Sequence, residues 1–176
     1  MRKLPNEELD RLSVEEFKNS KKIPVVVVLD NVRSQNNIGS LFRTADAFRL
    51  ERIILCGITS KPPHREIHKT ALGATESVRW EYWEDTADAI GKLKEDHHHI
   101  LSVEQTEGAI SLEKLFLAQD QKYALVFGHE IRGVDQRVLD LSDLCIEIPQ
   151  YGTKHSLNIS VAAGIVIWDV FKQFSL

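Results

Sequence analysis

VVVVLDNVRSQNNIGSLFRTADAF, residues 25–48, changes rhythm halfway along its length. Val25 to Leu29 are aliphatic without a break, a β-rich, strand-like run. After a polar stretch, Ile38, Leu41, Phe42, Ala45 and Phe48 recur at i, i+3, i+4, i+7 and i+10, the spacing of a helix that buries one side. A buried strand feeding an amphipathic helix is the repeating unit of an α/β fold with a parallel sheet. Arg43 stands off the apolar stripe. Read alone, it is a solvated arginine three residues from Asp46, an arrangement of little energetic weight.

The same alternation runs outward in both directions. Strand-like runs read at RIILC (52–56), SVRWEYW (77–83), HILSVE (99–104), YALVF (123–127) and LCIEI (144–148), with helical patterns at 64–71, 86–95, 111–117 and 134–141. Together they predict a mainly parallel sheet flanked by helices, formed by residues 24–176. Residues 1–23 read as a short helical extension, in which Ser13 and Glu16 match a capping box and Leu9, Leu12 and Phe17 supply a narrow apolar contact. At the other end, SLNISVAAGIVIWDVFKQF (156–174) is apolar almost all round, and Ala162, Ala163 and Gly164 permit close approach. Such a helix needs cover, either by threading its own domain or by packing on a second copy of the chain.

At 176 residues and 20.0 kDa, with 43% hydrophobic and 27% charged residues, the chain suits one globular domain with a sizeable core. No apolar stretch is long enough for a membrane span and the first residues carry no secretory apolar region, so the cytoplasm is the expected compartment. Cys56 and Cys145, each solitary in an apolar run, read as buried thiols rather than a disulfide framework or a zinc site. The triplet His97–His99 is a poor metal site, because consecutive strand residues face opposite ways; a solvated strand edge and no structural metal are expected.

The formal net charge of -4 is unevenly spread. Residues 31–70 carry seven basic side chains (Arg33, Arg43, Arg49, Arg52, Lys61, Arg65, Lys69) against three acids, whereas residues 81–120 carry three lysines against ten acids. A polyanion can therefore meet a basic face on an acidic protein. Arg33, Lys61, Arg65 and Lys69 are candidate phosphate contacts, with ordinary solvent exposure as the alternative.

In an open parallel sheet, ligands gather beyond the carboxyl ends of the strands. Three loops follow strand-like runs there: DNVRSQNNIGS (30–40), GHEIRGV (128–134) and PQYGTKHSLN (149–158). Each has a plain structural account, since Asn36 or Asn37 caps a helix, Gly128 and Gly133 serve turns, and Ser156 caps the last helix. Taken together they bring amides, a hydroxyl, one arginine and one glutamate to a single rim. The glycine fingerprints of dinucleotide and phosphate-loop folds are absent, as is any nucleophile-elbow serine.

NNIGSLFRTADAF (36–48), LVFGHEIRGV (125–134) and IPQYGTKHSLNISVAAGI (148–165) resemble, in order, the three motifs of the SpoU class (TrmH-like) of the SPOUT RNA methyltransferases, and the likeness runs from about residue 25 to 174. The resemblance implies an α/β sheet whose C-terminal part is tied in a deep trefoil knot, and a homodimer packed through the last helix. It implies transfer of a methyl group from S-adenosyl-L-methionine to a ribose 2'-hydroxyl of structured RNA. tRNA is favoured over rRNA, by family analogy, because only short extensions flank the core.

By the same resemblance Arg43 takes the catalytic arginine position, with Asn37, Glu130, Ser156 and Asn158 orienting ribose, cofactor and loops. Gly128, Ile148 and Leu157, with Glu104 after its strand, are the cofactor contacts it implies. A guanidinium is always charged, so gripping a phosphate and stabilising a developing alkoxide suit Arg43 better than acting as a base. His129 departs from the family, which often has Asn before the glutamate. The competing readings are a non-catalytic RNA-binding or assembly factor on the same fold and a small-molecule methyltransferase.

Overall fold

The computed structural model describes residues 1–174, so Ser175 and Leu176, the end of the expected domain, lie outside the described residues. Seven strands form one sheet, β1 (Ile23–Asp30), β2 (Leu50–Cys56), β3 (Trp80–Trp83), β4 (His98–Val103), β5 (Ile110–Ser111), β6 (Lys122–Phe127) and β7 (Leu144–Glu147). Their order is β3-β2-β1-β6-β4-β7-β5 and every pairing is parallel. The helices are α1 (Val14–Asn19), α2 (Gln35–Ala47), α3 (Arg65–Ala71), α4 (Ala74–Ser77), α5 (Thr86–Glu95), α6 (Gln136–Leu141) and α7 (Ile159–Lys172).

Central β1 is buried on both faces from Val25 to Leu29, as its unbroken aliphatic run requires. Val25, Val27 and Leu29 pack with α2 and α7, while Val26 and Val28 join Ile90 and Leu93 of α5. The stripe Ile38, Leu41, Phe42 and Ala45 on α2 is buried, and Gly39 lets α3 approach so closely that a Cβ would lie 2.3 Å from the Ile67 carbonyl oxygen. Among the described residues no helix is long and apolar enough to cross a membrane.

Several expectations need correction. The capping box at Ser13 and Glu16 is present and Phe17 is buried, but Leu9 and Leu12 are exposed. The stretch 77–83 is strand only from Trp80, because Leu72 and Gly73 turn left-handed and restart the chain as α4, where the Ser77 hydroxyl donates to Asp46. The stretch 111–117 holds one 3-10 turn, Leu112–Lys114, since Ile110 and Ser111 pair with β7 instead. The histidine triplet is not on an edge: β4 lies between β6 and β7, and His98 is buried with Nδ1 3.2 Å from the Leu93 carbonyl. Burial pushes the His98 pKa down. Cys56 is buried, which drives its thiol up to about 12, whereas Cys145 is only half-buried.

At the carboxyl end of β1, buried Asp30 joins three elements. Its Oδ1 accepts from the Thr86 hydroxyl at 2.6 Å and from the Asn31 amide at 2.9 Å, and its Oδ2 accepts from the Asp135 backbone N–H at 2.9 Å. The starts of α5 and α6 are thereby fixed to the sheet. Asp30→Ala strands these donors and is expected to cost about 2–4 kcal/mol, read as a lowered urea midpoint.

Candidate functional site

The three loops meet at the carboxyl ends of the strands through a short relay of amides. Ser34 caps α2 by accepting from the Asn37 backbone at 3.3 Å, which holds the Asn37 side chain in the first turn. Asn37 Nδ2 donates to Glu130 Oε1 at 3.2 Å, and Asn37 Oδ1 accepts from Asn158 Nδ2 at 3.2 Å. Glu130 also accepts from the Arg33 and Ser34 amides at 3.0 and 2.9 Å. Asn158, not Ser156, caps α7, accepting from the Ser160 amide at 2.9 Å and its hydroxyl at 2.7 Å. One side chain from each loop is therefore in a single clasp.

Partial burial works against the Glu130 charge, yet the Arg33 and Ser34 amides, its own amide and Asn37 together hold its carboxyl below the usual range. The positive end of α2 acts in the same sense. The clasp is therefore fully formed above the ordinary carboxylate range and weakens as pH falls through the lowered value.

Beside the clasp lies a hollow of 540 Å³ walled by Glu104, Gly128, Ile148, Ser156, Leu157 and Asn158, a volume typical of small-ligand sites. Glu130 lies on the same wall and Asn37 does not. The loop after β6 doubles back, with His129 N–H donating to the Gly133 carbonyl at 3.0 Å and Gly133 N–H returning to His129 at 2.8 Å. Gly128 is required by that fold-back, because a Cβ there would meet the Gly133 carbonyl carbon at 2.1 Å. Glu104 spans the base of the loop, its Oε2 accepting from Val134 N–H at 3.0 Å and its Oε1 from Gln105 N–H at 2.9 Å. Its first task is thus to hold backbone. Gln105 Nε2 donates to the His155 carbonyl at 2.8 Å and ties in the third loop.

Arg43 is not in this hollow. It stands exposed on α2 and opens onto a separate depression of 480 Å³ shared with Lys69, Ser40, Thr44 and Thr70. It has no ion-pair partner among the described residues, and Asp46, the expected neighbour, is occupied by Ser77. Of the other basic candidates, Arg65 and Lys69 are largely exposed and only 4.0 Å contacts to Glu66 restrain them. The Lys61 ammonium lies 4.0 Å from the centre of the Tyr82 ring, and Arg33 is exposed beside the clasp. Arg52 drops out of the basic face because it pairs with Glu51 and Glu81.

The fold thus divides the expected residues into a hollow and a cationic face, with Asn37 as a tie rather than a wall. Sequence reasoning missed Gln105, Arg132, Glu147 and His155, which also line the hollow. Position was their only signal, since each lies at or just beyond the carboxyl end of a strand or in a loop already singled out.

Residues 24–168 match the family described as the SpoU rRNA Methylase family. A Staphylococcus haemolyticus protein assigned by name to the TrmH family of tRNA/rRNA methyltransferases is 30% identical over 160 residues, which cover 91% of this chain and 63% of that one. This chain therefore spans less than two thirds of that relative. The AdoMet-bound rRNA methyltransferase of Sinorhizobium meliloti superposes with a TM-score of 0.80 at 24% identity, covering 89% of this chain and 59% of its own. The TrmH/SpoU tRNA modifying enzyme of A. aeolicus gives 0.79 at 21%, covering 91% and 81%. At these identities the two structures speak for the fold alone.

Proposed function

Since the chain belongs to the SpoU rRNA methylase family, we propose that residues 24–176 methylate a ribose 2'-hydroxyl of structured RNA, most favourably a tRNA, in the cytoplasm, with S-adenosyl-L-methionine bound in the 540 Å³ hollow. The observation that carries the reading is the separation of a small-molecule hollow from an exposed, unpaired arginine on a cationic face. The walls suit this cofactor: Ile148 and Leu157 offer apolar surface to a purine, and Glu104, Glu130 and Glu147 offer carboxylates toward a cation. When bound, S-adenosylmethionine supplies a methyl group on a positively charged sulfur.

The residues of the chain do the rest. Arg43 and Lys69 grip a phosphate of the RNA, and the Arg43 guanidinium stabilises the negative charge that grows on the ribose oxygen as its proton departs to solvent or phosphate. The clasp of Asn158, Asn37 and Glu130 ties the wall of the hollow to the first turn of its own α2, so that the rim is set before RNA arrives. Lys61, Arg65 and Arg33 extend the phosphate track.

A homodimer is part of the proposal. Helix α7 buries Ile159, Ala163, Val166, Ile167 and Val170 in its own core and leaves Val161, Ile165 and Trp168 exposed in a line. Trp168 lies 5.6 Å, ring to ring, from Phe48 at the end of α2, the helix that carries Arg43. A second copy laid on this stripe brings Arg43 of one protomer toward the hollow of its partner. The trefoil threading of the C-terminal part is proposed on the family likeness.

The test is direct. Calorimetric titration with S-adenosylmethionine is expected to give one site per chain, and labelled methyl is expected to appear on tRNA as an alkali-resistant ribose. RNA binding without cofactor uptake would instead favour a non-catalytic assembly factor.

A further inference from the structure

We infer that His129 is a positioning residue of the cofactor hollow, its ring uncharged and protonated on Nε2 whenever the 128–134 loop is closed. The inference rests on the assignment of the hollow to S-adenosylmethionine. Two amides converge on one ring nitrogen: Ile131 N–H donates to His129 Nδ1 at 3.0 Å and Arg132 N–H at 3.4 Å. A nitrogen that accepts holds no proton, so the neutral ring carries its hydrogen on Nε2. The backbone of the same residue makes both hydrogen bonds of the bridge to Gly133. Side chain and main chain of one residue thus shape the loop whose residues 128 to 133 wall the hollow.

Protonation turns Nδ1 into a donor facing two donors. The turn then loses its acceptor, and its amides rotate toward water, which is at hand because Ile131 is 83% exposed. No core group loses a partner. The expected effect is therefore confined to ligand capture, while the sheet and its helices persist. Asparagine places an acceptor oxygen the same number of bonds from Cα, closes turns of this kind through that oxygen, and does not titrate. Alanine offers no acceptor at all.

Other charged groups face the loop across the hollow: Glu104 beyond β4, Glu130 and Arg132 on the loop itself, Glu147 in β7, and His155 before α7. Glu104 and Glu130 are engaged by backbone amides. His155 is the second imidazole of the hollow and has its own control.

The experiment is calorimetric titration of the whole chain with S-adenosylhomocysteine at several values between about pH 8 and about pH 5. Wild-type affinity is expected to fall about tenfold toward acid, the effect of losing a turn acceptor. His129→Asn is expected to keep the high-pH affinity and flatten the profile, His129→Ala to bind weakly throughout, and His155→Gln, whatever its absolute affinity, to retain the acid fall. A flat wild-type profile, a pH dependence that survives in His129→Asn, or one that vanishes in His155→Gln overturns the inference. Loss of far-UV dichroism over the same range also overturns it, since the change would then be global. Failure of the wild type to bind at every pH is a different outcome, which removes the cofactor assignment and this inference with it.

Discussion

Arg43→Ala is expected to slow methyl transfer by about 100- to 1,000-fold while leaving S-adenosylmethionine affinity within about twofold. The split follows from where the side chain stands. Arg43 is exposed on α2, has no ion-pair partner among the described residues, and is absent from the walls of the 540 Å³ hollow. Its removal opens no cavity and strands no buried partner, so folding and cofactor uptake continue. On the proposed mechanism, what is lost is a fixed positive charge near a reacting oxygen, which acts only as that oxygen becomes an anion. Arg43→Lys keeps the charge but not the planar fork, and falls between the two. Single-turnover transfer of labelled methyl, with calorimetry beside it, reads both quantities. Equal loss of affinity and rate, or an unchanged rate, would refute the role.

Ile165→Asp is the second large effect. It sets a carboxylate at the middle of the exposed stripe Val161, Ile165 and Trp168, on the face of α7 away from its fully buried residues. The chain is expected to fold, to sediment as a monomer at micromolar concentration, and to lose transfer about as fully as Arg43→Ala, because an arginine from one protomer no longer reaches the hollow of the other. Mixing sharpens the test. Arg43→Ala and Gly128→Ala proteins, each inactive alone, recover about a quarter of wild-type activity when subunits exchange, since half the dimers are mixed and each has one intact site. Recovery of nothing would mean that arginine and hollow cooperate within one chain. An Ile165→Asp monomer with full activity would remove the dimer from the mechanism.

The sheet was legible because its strands are nearly continuous apolar runs separated by helical patterns, and the run Val25 to Leu29 is the strand that the structure buries on both faces. β5 was not, because two residues at an edge carry no periodicity and are strand only by virtue of pairing with Ile146 and Glu147. Helix α4 was hidden for a similar reason: four residues are too few to show a helical period, although Gly73 before them is itself a local break signal. His98 shows the limit of reading histidines by polarity, since the strand that carries it turned out to be interior.

At the site, the sequence named Asn37, Glu130 and Asn158 as orienting ribose, cofactor and loops. Within the chain their polar atoms are largely spent on one another and on backbone, an arrangement set by long-range contacts that spacing along the chain does not encode. The three loops follow from the simpler rule that loops beyond strand ends face a common space, whereas Gly128, Ile148, Leu157 and Glu104 as cofactor contacts are what the family resemblance implies. Arg43 stands exposed on α2, and Asp46, the neighbour its spacing offered, is taken by Ser77 instead.

The clasp has a bearing on the order of events during synthesis. Asn158 is its last member to leave the ribosome, and its side chain reaches Asn37 from the start of α7. A nascent polypeptide that has already emerged through β7 owns every strand of the sheet but lacks the final clip, so its nucleotide-sized pocket has no finished rim. On the proposed function, competence to capture a small molecule is therefore expected only once the start of α7 has formed.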